Sequence, residues 1–163
     1  MISGFELGEH KNIAIIGGGI GIFPLYEFAK QANEGATVNT YLGFRNKDLI
    51  ILENEFSKVS TSLLMATDDG TYGKKGYAID YLKEDLSTKK IDAIYACGPL
   101  PMLKQVKELA IQNDIFCQIS LEERMSCAIG ACLGCSVQLA GEEIKYARVC
   151  KDGPVFNAKS VII

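Results

Sequence analysis

Four cysteines, Cys127, Cys132, Cys135 and Cys150, fall within 24 residues near the end of the sequence, in the order C-x4-C-x2-C-x14-C. In a protein kept reduced, thiols grouped this closely read as metal ligands before they read as disulfides. Three on one loop with a fourth arriving later is the plant-type ferredoxin order, which suits a [2Fe-2S] cluster. Such a loop needs a backbone that can wrap, which Gly130 and Gly134 permit, and backbone N–H groups that offset the charge on sulfur. Structural zinc is the chief competing occupant, but its sites usually come as two short C-x2-C pairs, and only one such pair is present. Cys97 and Cys117 lie in apolar runs far from the group and are expected to be buried and unligated.

The only histidine, His10, sits in an N-terminal stretch expected to be poorly ordered, so triads and zinc sites built on several imidazoles are out of reach within the chain. The 163 residues carry 17 Lys plus Arg against 20 Asp plus Glu, a net charge of −3, with 48% apolar residues. That describes one globular unit, or one with a small appendage. No block of like charge points to nucleic acid or to a polybasic membrane patch. The longest apolar run, Ile13 to Tyr26, is 14 residues with four glycines and a proline, too short to span a bilayer. Glu6 and Glu9 stand where a secretory signal needs a basic and then an apolar region. The expected location is therefore cytoplasmic.

Up to about Leu121, short β-branched runs alternate with segments of helical period. Strands are predicted at Ile13–Ile16, Thr37–Phe44, Thr61–Thr67, Ala93–Cys97 and Ile115–Leu121. Helices are predicted at Phe23–Asn33, Asp48–Phe56, Tyr77–Leu86 and Pro101–Asn113. Runs such as IAII and AIYAC do not alternate, as strands buried on both faces should not. The expected fold is α/β, a five-stranded parallel sheet with helices on both faces. After Glu123 the Gly- and Cys-rich run SCAIGACLGC leads into SVQLAGEEIKYARVC, read as two short strands around a turn near Gly141 and Glu142. The expected organisation is a nucleotide-binding unit over 1–123 and a metal module with a β-hairpin over 124–163.

Gly17, Gly18, Gly19 and Gly21 follow the first strand and precede the first helix, where glycine lets a phosphate approach the backbone and the helix N-terminus offers free N–H groups. Ile22 breaks the strict G-x-G-x-x-G fingerprint; Gly19, Gly21 and Pro24 fit G-x-G-x-x-P, with Pro24 in the first helical turn. Cys97-Gly98-Pro99 ends the fourth strand, at the sheet edge where open α/β folds bind ligands. Asp68 and Asp69 end the third. Carboxylates there can accept from ribose hydroxyls and repel a 2′-phosphate, favouring NADH over NADPH, with Arg45 the one basic group near the adenosine side.

Read together, GGGIGIFPLYEFAK, GFRNKDLIILENEF, ATDDGTYGKKGYAIDYL, YACGPLPMLKQV and EERMSCAIGACLGC resemble the C-terminal half of the electron-transfer subunit of class 1B dihydroorotate dehydrogenase, a family of the ferredoxin reductase-like superfamily. The resemblance runs from Lys11 to Phe156. It implies NAD binding by Gly17 to Gly21 and Cys97 to Pro99, and cluster ligation by Cys127, Cys132, Cys135 and Cys150. It also implies FAD as a further cofactor and an FMN-containing dihydroorotate dehydrogenase catalytic subunit as partner, in pyrimidine biosynthesis. Electrons from dihydroorotate would pass from that FMN to the cluster, then FAD, then NAD. Two departures stand out: Ala128 replaces the glycine usual after the first cluster cysteine, and the N-terminal β-barrel that binds most of the FAD has no counterpart here. NADH delivers a hydride while a [2Fe-2S] cluster exchanges single electrons, so the expectation is an oxidoreductase subunit inactive without a flavin domain. Electron-transfer subunits of hydrogenases and of NAD(P)H-ferredoxin oxidoreductases share the fold and module, although Glu122-Glu123-Arg124-Met125 resembles the dihydroorotate family more. A non-enzymatic, zinc-stabilised nucleotide-binding module is the reading from another class.

Overall fold

Seven residues in the run NIAIIGG form β1 (Asn12–Gly18), buried at every position after the first. A strand so covered has to lie at the centre of a sheet with helices on both faces. The computed structural model describes residues 3–163 and places it there. In chain order there follow α1 (Ile22–Ala32), β2 (Thr37–Phe44), α2 (Glu53–Val59), β3 (Ser62–Thr67), β4 (Lys74–Lys75), α3 (Ala78–Leu86), β5 (Ala93–Cys97), α4 (Leu100–Gln112) and β6 (Phe116–Ser120). The remainder holds β7 (Ser136–Leu139), β8 (Lys145–Arg148), the short α5 (Val149–Asp152), β9 (Val155–Asn157) and β10 (Val161–Ile162).

The main sheet has the order β4-β3-β2-β1-β5-β6-β9. The five expected strands are its parallel middle, so the expected count of five is corrected to seven by two short edges. β4 adds two residues alongside Ala66 and Thr67, inside a stretch whose Gly73 and Gly76 read as turn. β9 returns from the far end of the chain and runs antiparallel to β6, pairing Gln118 with Asn157 and Ser120 with Val155. Sequence periodicity has no usable signal for either, because two or three residues span at most one and a half repeats of a strand's two-residue period.

Each face has its own core. On one, α1 lays Ile22, Leu25, Phe28, Ala29 and Ala32 against Ile13, Ile15, Val38 and Tyr95. On the other, α3 and α4 bury Ile79, Leu82, Leu103 and Val106 against Ile16, Tyr41 and Ile94. Burying one such aliphatic side chain contributes roughly 1.5–3 kcal/mol. The hairpin of β7 and β8, widened by β10 beside β7, adds Cys135, Val137, Ala147, Val149 and Val161 to this second core.

Two expectations need local correction. The helix expected over Asp48–Phe56 divides into a 3-10 turn at Lys47–Leu49 and α2, because Leu52 takes φ +57 and Ile50 is extended, turning Ile50 and Leu52 inward. The N-terminal stretch is packed from residue 3 on: Phe5 lies against Phe28 and Tyr95, His10 stacks on Phe116 at 4.9 Å, and the Tyr95 hydroxyl donates to the carbonyls of Glu6 and Leu7. Among the described residues, no helix is long and apolar enough to cross a membrane.

The fully buried Tyr41 donates its hydroxyl to Asp85 Oδ2 at 2.6 Å, and Lys89 Nζ donates to the same oxygen at 2.8 Å. Burial works to raise the Asp85 carboxyl, but the Lys89 and Tyr41 bonds outweigh it and hold the group below its ordinary value. A depressed carboxyl contributes stability above its unfolded value of about 3.9, lost as pH falls through the lower folded one. Asp85→Asn is expected to cost about 1 kcal/mol near neutrality. Parallel urea titrations should show that difference shrinking below about pH 4; a gap undiminished in strong acid would remove the charge from the explanation. Ala128 sits at φ +58, a left-handed conformation that costs a residue with a Cβ about 1 kcal/mol. Ala128→Gly should therefore raise the melting temperature of the metal-free chain, and a fall would show that the strain is relieved locally.

Candidate functional site

The sheet order reverses between β1 and β5, both parallel and hydrogen-bonded to one another, and ligands of open α/β sheets bind at the carboxyl ends beside such a switch. The loops leaving these two strands meet backbone to backbone. A Cβ on Gly21 would lie 2.8 Å from the carbonyl carbon and oxygen of Cys97, and one on Gly98 would lie 2.9 Å from the Gly18 nitrogen. Gly17 serves a different contact: its missing Cβ makes room for Ile22 and Leu25, seating α1 on the sheet. Gly19, at φ +57, has open space where a side chain would point.

Over these loops opens a cavity of about 970 Å³. Gly18, Gly19, Gly21, Asp68, Gly98 and Pro99 line it, as does Arg45; Gly17, Asp69 and Cys97 support the wall without reaching it. Asp69 Oδ1 is taken up by the Thr71 hydroxyl at 2.7 Å and the Thr71 N–H at 2.9 Å, bonds that hold its carboxyl below the ordinary range. Asp68 and Arg45 are brought together by β2–β3 pairing, which continues as the Asp68 N–H donates to the Phe44 carbonyl at 3.0 Å. Cys97 is buried, and burial pushes its thiol up to about 11, keeping it uncharged despite an opposing hydrogen bond with Ser120. Further wall comes from after the end of β6 and from the C-terminal sheet: Glu122, Glu123, Val137, Gln138 and Ile162. Sequence reasoning missed this wall. Glu122 could have been found from its place at a strand end, whereas Gln138 and Ile162 reach the cavity only through tertiary packing.

The cysteine loop continues from that wall. Its thiols stand as two couples. The Cys132 N–H donates to Cys127 Sγ at 3.3 Å, and the Cys150 N–H donates to Cys135 Sγ at 3.5 Å. Backbone N–H groups, that of Cys132 first and that of Ile129 next, pull the Cys127 thiol down to about 6, which favours its thiolate form. The Cys150 thiol is raised, first by its hydrogen bond with Cys135 and then by burial. Among the described residues, no three His, Cys, Asp or Glu side chains converge on a single ion position. Two couples of thiols suit a two-iron cluster, with two sulfur ligands per iron, better than one tetrahedral zinc. Gly130 is needed for the loop, at φ +77 with Lys151 pressed against it; Gly134 has a negative φ and only ordinary contacts. Cys117 is remote, and burial pushes it up to about 12.

Comparison with known proteins agrees with both halves. Residues 15–108 match the oxidoreductase NAD-binding domain, and residues 122–162 match the iron-sulfur cluster binding domain of dihydroorotate dehydrogenase B. The electron transfer subunit of dihydroorotate dehydrogenase B (NAD(+)) from Geobacillus sp. (strain WCH70) is 42% identical over 154 residues, covering 94% of this chain and 58% of that protein. The subunit of the same name from Streptococcus mutans is 42% identical over 166 residues, covering 99% and 63%. The chain thus spans about three fifths of the length of these relatives. Among solved structures, an NADH-dependent reduced ferredoxin-NADP oxidoreductase superposes with a TM-score of 0.83 at 32% identity, over 93% of this chain and 54% of that one. The C-terminal domain of a Pyrococcus furiosus hydrogenase, at 21% identity and a TM-score of 0.57 over 74% of this chain and 96% of that one, shares the fold. The chain belongs to the oxidoreductase NAD-binding domain family, and the residues that follow match the iron-sulfur cluster binding domain of dihydroorotate dehydrogenase B.

Proposed function

We propose that the chain is the NAD- and cluster-binding part of an electron-transfer subunit that works with a dihydroorotate-oxidising, FMN-containing partner in pyrimidine biosynthesis. The observation that carries this reading is that one cavity is lined both by the loops after β1 and β5 and by the segment leading into the cysteine loop. In this division, residues 1–123 hold the nucleotide and 124–163 the cluster. Gly18, Gly19 and Gly21 present backbone N–H groups and the start of α1 to the pyrophosphate, with Gly17 seating the helix. Asp68 accepts from the adenosine ribose while Asp69 shapes its turn, and Gly98 and Pro99 close over the nicotinamide end, backed by Cys97. Cys127, Cys132, Cys135 and Cys150 hold a [2Fe-2S] cluster, the Cys127 thiolate favoured by the loop's N–H groups. NAD exchanges a hydride and such a cluster single electrons, so the pair works through a flavin, FAD in this reading. In this reading the chain works in the reducing cytoplasm, which its six unpaired cysteines support.

A related NAD(P)H-ferredoxin oxidoreductase subunit is the second reading, favoured by Arg45 on the cavity wall, where it can meet a 2′-phosphate. Titration with both nucleotides at one salt concentration decides between them. NADH should bind more tightly, and Asp68→Asn should reduce that preference by roughly fivefold, the worth of one ribose hydrogen bond; tighter NADPH binding favours the second reading.

Protein prepared anaerobically should be coloured and contain about two irons and two sulfides per chain. Cys132→Ser is expected to abolish most of that iron, while Cys117→Ala leaves it unchanged. Stoichiometric zinc in place of iron would refute the cluster assignment.

A further inference from the structure

Arg148 ends β8, two residues before Cys150. Its Nη1 donates to the Gly130 carbonyl at 2.8 Å, and its Nε donates to Asp152 Oδ2 at 3.2 Å. Its own backbone N–H reaches the same carboxylate oxygen at 2.8 Å, so the side chain is anchored at its root as well as its tip. Gly130 is the buried member of the loop between Cys127 and Cys132. Its Cα is covered by the Lys151 stem, where an added Cβ would come within 2.6 Å of Cδ. One glycine thus joins the loop of the first three cysteines to the helical turn of the fourth, and Arg148 grips its carbonyl.

We propose that Arg148 is a positioning residue for the cysteine centre: by tying the Gly130 carbonyl to Asp152 it keeps the loop of Cys127 and Cys132 in register with Cys150. The proposal rests on the reading of these four cysteines as ligands of one cluster. Guanidinium suits the task because its planar fork bonds a carbonyl and a carboxylate at once, which an ammonium on a flexible stem does not reproduce. With the grip removed, the peptide joining Gly130 to Ala131 is free to turn, and the loop that carries Cys127 and Cys132 loosens against the turn that carries Cys150. Hydrogen bonds to cluster sulfurs and nearby positive charge both favour the reduced state, so their loss lowers the reduction potential.

The test compares the full chain with Arg148→Ala, Arg148→Lys and Asp152→Asn, each loaded anaerobically with iron and sulfide. Iron per chain, the rate of iron loss to a chelator, visible circular dichroism and the reduction potential are read. Arg148→Ala is expected to lose iron about tenfold faster, in the range for residues that support metal ligands, with an altered visible spectrum and a lower potential. Arg148→Lys, which keeps the charge, should recover less than half of the retention, and Asp152→Asn should fall between wild type and Arg148→Ala. Iron loss, spectrum and potential all equal to wild type in Arg148→Ala would overturn the proposal, as would full rescue by lysine, which would make charge alone sufficient. Should Arg148→Ala not fold, the other two variants decide, because each must release iron faster than wild type. A wild-type chain that takes up no iron refutes the cluster reading itself, before any variant is compared.

Discussion

The contact between the β1–α1 and β5–α4 loops, made backbone to backbone at Gly21 and Cys97 and again at Gly98 and Gly18, governs the rest of the structure. β1 and β5 are neighbours in the sheet, so their carboxyl ends emerge side by side, and any Cβ on the facing residues would force them apart. With the loops closed together, Gly18, Gly21 and Gly98 line the cavity where they meet. β6, next in the sheet, then delivers Glu122 and the segment beyond it to the rim of the same cavity.

Both candidate sites stabilise negative charge in the same way. The glycine loop offers peptide N–H groups at the start of α1, and in the cysteine module the N–H groups of Cys132 and Cys150 donate to sulfur. Fixed peptide dipoles serve an anion without a cluster of basic side chains. This is consistent with a chain whose net charge is −3. It also explains why glycine marks both places so strongly in the sequence.

What was legible in the sequence follows the length of each signal. β2 and β5 fall at their expected bounds, because runs of eight and five mostly buried, largely β-branched, aromatic and aliphatic residues carry their own pattern. The break at Leu52 and the edges β4 and β9 were not legible, since each is decided by what packs against it. The four cysteines were legible as a group from spacing alone, but their division into couples 127/132 and 135/150 needed the fold to bring α5 beneath the loop. Likewise, Asp68 and Asp69 are indistinguishable in sequence; only the turn at Thr71 shows which one faces the cavity.

The cysteine loop also shows how strain is tolerated. Two of its residues take left-handed conformations, Ala128 and Gly130, and only the second is glycine. A residue with a Cβ persists in that region when its surroundings over-determine it. Here the constraint is visible on both sides of Ala128: the Cys132 N–H binds the sulfur of Cys127 immediately before it, and Arg148 holds the carbonyl of Gly130 two residues after it. Between those fixed points the chain has few residues in which to turn, so the left-handed step falls on whatever stands at 128. The strain at Ala128 and the grip of Arg148 are thus two consequences of one requirement, that a short loop bring three thiols to a fourth.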